Sequence, residues 1–162
     1  MPASPRDTNI ELHEVLQELL RELTKGPQDE YGLFSEAGAG LLPTLDAATA
    51  AQVSFPVAPS RPSLAAYTAH LTQSLHFAVD VLRGGEELPD FAAAWRVTDV
   101  DEAAWQAQRE DLRAALYALQ QATAQIHSFD SKTLRTVLGA LVHTAYHVGA
   151  LRITLRNLHA RV

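Results

Sequence analysis

Apolar positions recur along the chain at steps of three and four residues, the signature of helices that bury one face. Leu12, Val15, Leu16, Leu19, Leu20 and Leu23 form the first stripe, and Gly26-Pro27 stops it. Pro62-Ser63 opens a second, through Leu64, Tyr67, Thr68, Leu71, Leu75, Ala78 and Leu82, which Gly84-Gly85 ends. The third begins at a cap spanning Asp99 to Glu102 and runs to about His127, with Trp105, Leu112, Leu116, Leu119, Thr123 and Ile126 inward. The fourth and longest runs from Asp130 to Val162. Leu134, Val137, Leu138, Leu141, Ala145, Val148, Leu151, Leu155 and Leu158 line it without an internal proline, and Asp130 or Ser131 supplies the N-cap oxygen.

The intervening stretches read differently. Residues 1–8 look like a frayed tail. From Gln28 to Pro62 glycines and prolines interrupt any long period, yet Gly40 to Val53 predicts a short extra helix with Leu41, Leu42, Leu45 and Ala48 inward. A structureless connection of that length is unusual, so this piece is expected to pack. Residues 84–98 form a second irregular connection, carrying Trp95. Extended, it reaches up to about 50 Å, against about 33 Å for a helix of about 22 residues, so the second and third helices are free to run parallel. The short link from His127 to Asp130 makes the third and fourth antiparallel neighbours. The prediction is an all-α four-helix bundle, a single domain over residues 1–162, with no internal repeat.

An apolar fraction of 47% fits a globular chain. No apolar run approaches the roughly 20 residues that span a bilayer, and the N-terminus has neither a basic nor an apolar leader region. A cytoplasmic protein with no membrane partner is expected. The net charge is −6, with Lys and Arg scattered, which is opposite to a nucleic-acid footprint. There is no cysteine. That excludes disulfides, a protein thiolate nucleophile and thiolate metal ligands, leaving nitrogen and oxygen to hold any metal. Thiol chemistry would need an external thiol.

Histidine is the residue type that sharpens the picture. His143 and His147 stand four apart, about 40° around a helix, so both rings point the same way. They fall on the shoulder of the fourth stripe, beside Ala140, Thr144 and Leu151, facing a groove between helices. His70 holds a similar shoulder on the second helix, between Tyr67, Ser74 and Phe77, whereas His76 projects toward Thr72 and Asp80 into solvent. His127 and His159 sit in predicted last turns, where a helix dipole accounts for them, and His13 lies at a stripe edge as a bystander. A histidine pair by itself is a weak signal. Facing helices in bundle cores do assemble metal sites. The plainer alternative is a set of hydrogen-bonded polar side chains, which must find a partner for every buried nitrogen.

The segment Leu64-Ala65-Ala66-Tyr67-Thr68-Ala69-His70-Leu71 is followed in order by Asp90-Phe91-Ala92-Ala93-Ala94-Trp95-Arg96-Val97 and Asp101-Glu102-Ala103-Ala104-Trp105. His143-Thr144-Ala145-Tyr146-His147-Val148-Gly149-Ala150-Leu151-Arg152 then completes the pattern. From about Gly40 to the C-terminus this resembles the DinB/YfiT-like superfamily. The resemblance implies up-down-down-up connectivity, one divalent metal on His70, His143 and His147, and often a homodimer. Characterised relatives include S-transferases and isomerases that use low-molecular-weight thiols such as bacillithiol or mycothiol. Many relatives carry Gln after the glycine, where this chain has Ala150.

Three functions follow as expectations. The first is a metal-dependent S-transferase acting on a small electrophile with an external thiol as cosubstrate; three imidazoles leave coordination positions open, and zinc and nickel both suit them. The second is a metal-dependent hydrolase. The third is a metal- or ligand-binding stress-response bundle without turnover. Tyr67, Tyr146 and Glu36 are the candidate bases, and Tyr117, Phe91 and Trp95 could line either a pocket or an interface.

Overall fold

The computed structural model describes residues 5–159. Four long helices carry the fold: α1 (Pro5–Lys25), α4 (Leu64–Leu82), α6 (Glu102–Ala124) and α7 (Ser131–His159). Three short ones sit in the connections: α2 (Leu41–Asp46), α3 (Ala50–Val53) and α5 (Phe91–Ala94). Two isolated β-bridges, Tyr31 with Glu36 and Pro56 with Ser63, lie in the connections.

Side-chain contacts give the direction of each helix. His13 of α1 meets Phe129 just beyond α6, Gln17 donates to the Gln120 carbonyl, and Lys25 lies over the Tyr117 ring. These helices are therefore antiparallel. Near the start of α4, Leu64 N–H donates to the Phe55 carbonyl, and nearby Glu102 at the start of α6 accepts from Ala50 N–H; farther along, His76 meets Asp111. So α4 and α6 run parallel, as the long 84–98 connection allows. Tyr67 and His70 meet His147, while Phe77 and Val81 share a groove with Ser131 and Arg135, which makes α4 and α7 antiparallel. The connectivity is up-down-down-up.

The core holds Leu16, Leu20, Leu71, Leu112, Leu116 and Leu151, each essentially out of solvent. Trp105 is fully buried and donates its indole N–H to the Ala48 carbonyl at 2.8 Å, so a large apolar ring enters the core with its one polar group satisfied. That bond also seats the 40–53 segment, whose Leu41, Leu42, Leu45 and Ala48 are all buried as expected. The segment is two helices rather than one, because Thr49 and Gln52 form a capping box that restarts the chain after Asp46.

Several boundaries differ from the periodicity. Residues 5–8, predicted within a frayed tail, are helical, and Pro5 is a residue suited to a first turn. Residues 1–4 of that tail and residues 160–162 of the fourth predicted helix lie outside the described residues. Helix α6 stops at Ala124, so His127 lies beyond the last turn and is exposed. Val15 and Leu138, placed in their stripes, are 47% and 39% exposed. Each sits at the edge of a stripe wider than the contact its helix makes. Among the described residues, no helix is long and apolar enough to cross a membrane.

Candidate metal centre

Caps fix where the histidine-bearing helices begin, and their buried apolar faces set how they are turned. Ser63 caps α4 by accepting from Ala66 N–H, and Asp130 caps α7 by accepting from Thr133 N–H at 2.7 Å. With Leu71 and Leu75 of α4 and Leu141 and Val148 of α7 in the core, α4 turns His70 and α7 turns His143 and His147 into one groove. His70 Nε2 and His143 Nε2 are 3.0 Å apart, and one nitrogen from each of the three rings lies within 4.8 Å of the others. The structure thus brings together all three histidines singled out in the sequence, as a cluster that could hold a metal ion.

Metal–nitrogen bonds of about 2.0–2.1 Å put two ligands of a tetrahedral ion about 3.3 Å apart and never more than about 4.2 Å. The His70–His143 pair, at 3.0 Å, is already on that scale, and side-chain rotation would have to draw the set, spread over at most 4.8 Å, together around an ion. The plainer alternative, a saturated hydrogen-bond set, is not what the cluster shows. Nδ1 of His70 and Nδ1 of His147 are buried with no partner among the described residues. Metal-bound histidines usually donate their second nitrogen to an acceptor. His70 has none, and an aromatic stack takes over the task of orienting it.

That stack comes from the 84–98 connection. Trp95 lies against His70 with centroids 4.3 Å apart and planes 27° off parallel, and Phe91 meets His70 edge-on at 6.2 Å. Tyr67 packs edge-on against Trp95 and contacts the His147 ring at 5.3 Å. One turn of helix, α5, places these rings. Asp90 caps it by accepting from Ala92 N–H, and Gln73 on α4 donates to the Asp90 carbonyl at 2.9 Å. Neither α5 nor the stacking role of Trp95 was read from the sequence; Asp90 before Phe91 and three alanines is the cap signal that marks them.

Burial sets the charge state. His147 is 6% exposed, and desolvation, reinforced by the neighbouring His143 and His70, pushes it down to about 4. Desolvation and His143 lower His70, and desolvation lowers His143. The cluster is a set of neutral imidazoles at pH 7, the form that binds metal.

The other histidines lie elsewhere. His76 is exposed and pairs with Asp111 at 3.2 Å across to α6. His13 packs edge-on to Phe129. The side chain of His159 lies outside the described residues. Of the candidate bases, Tyr67 is half-buried beside the cluster. Tyr146 is 73% exposed, although its ring centroid is 5.1 Å from that of His147. Glu36 accepts from Arg152 at 2.7 Å and Arg156 at 3.0 Å, and those bonds hold its carboxyl below the ordinary range.

Glu36 belongs to a loop anchored by a residue absent from the expectations. Glu22 on α1 is 2% exposed and accepts from Leu33, Phe34 and Ser35 N–H and from the Ser35 hydroxyl. Burial pushes its carboxyl up, but the Ser35 hydroxyl and the three N–H groups together bring it below the usual value. Gly32 leaves the space, since a Cβ there would collide with the Glu22 carboxylate. The clamp carries Glu36 to α7 and ties down the helix beyond the histidines.

A family model described as the DinB superfamily matches residues 33–150, a span that includes His70, His143 and His147. The chain belongs to the DinB superfamily. No curated protein and no solved structure matches it.

Proposed function

We propose that His70, His143 and His147 bind one divalent transition metal, zinc or nickel, and that the protein is an S-transferase that joins an external low-molecular-weight thiol to a small electrophile. The observation that carries this reading is the convergence of three neutral, desolvated imidazoles in a chain without cysteine. Three ligands leave coordination positions open, as in catalytic rather than structural sites. A bound divalent ion would supply Lewis acidity that lowers the pKa of a thiol beside it.

In the reaction the thiol gives its proton to solvent and its sulfur forms a bond to an electrophilic carbon. The bond from that carbon to its leaving group breaks, and the electron pair departs with the group. This chain's residues orient and shield. Trp95 and Phe91 cover His70 and keep water from one side of the cluster, and Tyr67 brings a hydroxyl-bearing ring to its rim. Glu36, held by two arginines, is a poor base.

The test combines elemental analysis of untagged protein with turnover of chlorodinitrobenzene, with and without bacillithiol, mycothiol or glutathione. About one equivalent of metal and thiol-dependent consumption of the electrophile are expected. Metal-dependent hydrolysis of an activated ester, indifferent to thiol, would replace transfer by hydrolysis. Metal uptake with neither activity would leave a binding protein.

The homodimer expected from the resemblance is assigned to the outward face of α7. There Leu138, Val142, Tyr146 and Ile153 form an exposed apolar stripe, the last three at least 63% exposed. Sedimentation of wild type and of Val142→Asp tests it: a dimer that becomes a monomer supports the assignment.

A further inference from the structure

Beside the histidine cluster runs a groove of about 760 Å³ between the second half of α4 and the first half of α7. Its floor is apolar: Phe77, Ala78 and Val81 from α4, Phe91 from α5, Ala140 from α7. His143 stands at one end, and Lys132 and Arg135 stand at the other. Among the described residues, no carboxylate lines it. From Arg135 and Lys132 to His143 the axial distances along α7 are about 12 and 16 Å.

Two features of α7 lack an explanation within the chain. The first is charge. In a protein of net charge −6, this helix carries Lys132, Arg135, Arg152 and Arg156 and not one Asp or Glu. Glu36 neutralises Arg152 and Arg156. Lys132 shares its field with Asp130 beside it, and Arg135 makes no ion pair among the described residues. The N-terminal end of the helix adds its own positive potential there.

The second feature is Gly139, in the helix interior, where glycine costs about 1 kcal/mol relative to alanine. A Cβ at 139 would meet nothing within 4 Å, so no packing in the chain calls for the glycine. It lines the groove midway between the cations and His143. A bare backbone at this point leaves width for something lying along the groove.

We propose that the α4–α7 groove binds an elongated, largely apolar carboxylic acid, its carboxylate at Arg135 and Lys132 and its far end beside His143. An apolar floor favours an aliphatic or aromatic body, the cationic end selects an anion, and the His143 end brings the remote terminus to the proposed metal. Its role as the electrophilic substrate of the transferase, which requires a leaving group on a carbon at its far end, rests on the reading above; the binding itself does not.

Calorimetric titration of decanoate into zinc-loaded and metal-stripped protein tests the site, with decanol and decyltrimethylammonium as controls. Saturable decanoate binding is expected in both forms, with the alcohol weaker and the cation absent. Arg135→Gln should weaken it about threefold and Arg135→Glu about tenfold, the range of a partly solvated charge contact. Gly139→Leu should abolish it, while Gly139→Ala, which restores helix propensity with a small group, should keep binding and raise the melting temperature. Equal binding of decanol, or no saturable binding to wild type, overturns the proposal. So does a wild-type dimer that Gly139→Leu dissociates without any decanoate binding, since the groove would then be covered by a second copy. Decanoate binding without thiol-dependent turnover leaves the groove standing and removes the transferase; turnover without decanoate binding does the reverse.

Discussion

Two grooves of nearly equal volume, about 750 and 760 Å³, flank α4, and Phe77 contributes to the wall of both. On the α6 side the lining includes His76, Asp80, Glu87 and Asp111; on the α7 side it includes His143, Lys132 and Arg135. Size does not separate them, and each contains histidine. What separates them is what the histidine meets. His76 faces a solvated carboxylate, an arrangement that water and salt weaken. His143 faces two more imidazoles in a desolvated corner, where lone pairs of neutral rings converge and a cation would be welcome.

The sharpest way to break this contrast is to delete histidines on either side. His143→Ala and His147→Ala should each remove the bound metal equivalent, while His76→Ala retains it, as elemental analysis would read. With free zinc at about 100 times its dissociation constant, wild type should gain about 2.7 kcal/mol of stability, and neither cluster variant should gain any. Metal retained at full stoichiometry in both cluster variants would remove the centre.

Acid provides the next test, on metal-free protein. His147 has its pKa lowered from 6.5 to about 4, so below pH 6.5 the unfolded chain takes up a proton that the folded chain refuses. Stability is therefore intact above pH 6.5 and falls as the pH drops toward 4, by on the order of 3 kcal/mol from this group. Urea midpoints measured across that range should fall for wild type and fall less steeply for His147→Gln, where His70 and His143 still contribute. Bound metal adds to the slope, because its ligands must be deprotonated.

Much of this was legible before the fold. The three- and four-residue stripes place all four long helices, and the same angular projection turns His70, His143 and His147 inward and His76 outward. Which way a helix faces follows from its own apolar stripe, and where it starts from caps such as Ser63 and Asp130, so both can be read from a short window. The pieces that escaped depend on partners far along the chain. Trp95 reaches His70 only because α5 folds back onto Gln73, and Glu22 shows its purpose only when Leu33, Phe34 and Ser35 wrap around it. A glutamate inside an apolar stripe reads as a surface residue until its donors are known. Leu138 was misplaced for a related reason: periodicity finds the width of an apolar stripe, and the neighbouring helices decide how much of it they cover.

Trp95 offers a smaller effect on the same side. With Nδ1 of His70 lacking an acceptor, the stack at 4.3 Å is what holds the ring. Trp95→Leu keeps apolar cover but removes the flat partner, and should lower zinc affinity about tenfold, the low end for loss of a group that orients a ligand. A chelator competition assay would measure this. An unchanged affinity would mean that the two helices alone orient His70.

The smallest effect belongs to the acidic groove and completes the contrast. Asp111 and His76 are both more than half exposed at the side chain, so their 3.2 Å contact trades against water at little gain. Asp111→Asn should change stability by less than about 1 kcal/mol and leave metal content untouched. Raising the salt concentration should shrink even that difference, since an exposed pair is screened within about a Debye length. The cluster should respond differently: its neutral rings owe their state to desolvation, which salt does not screen. A loss well above 1 kcal/mol in Asp111→Asn, persisting at high salt, would make the His76 side a structural site in its own right and remove the asymmetry between the two grooves.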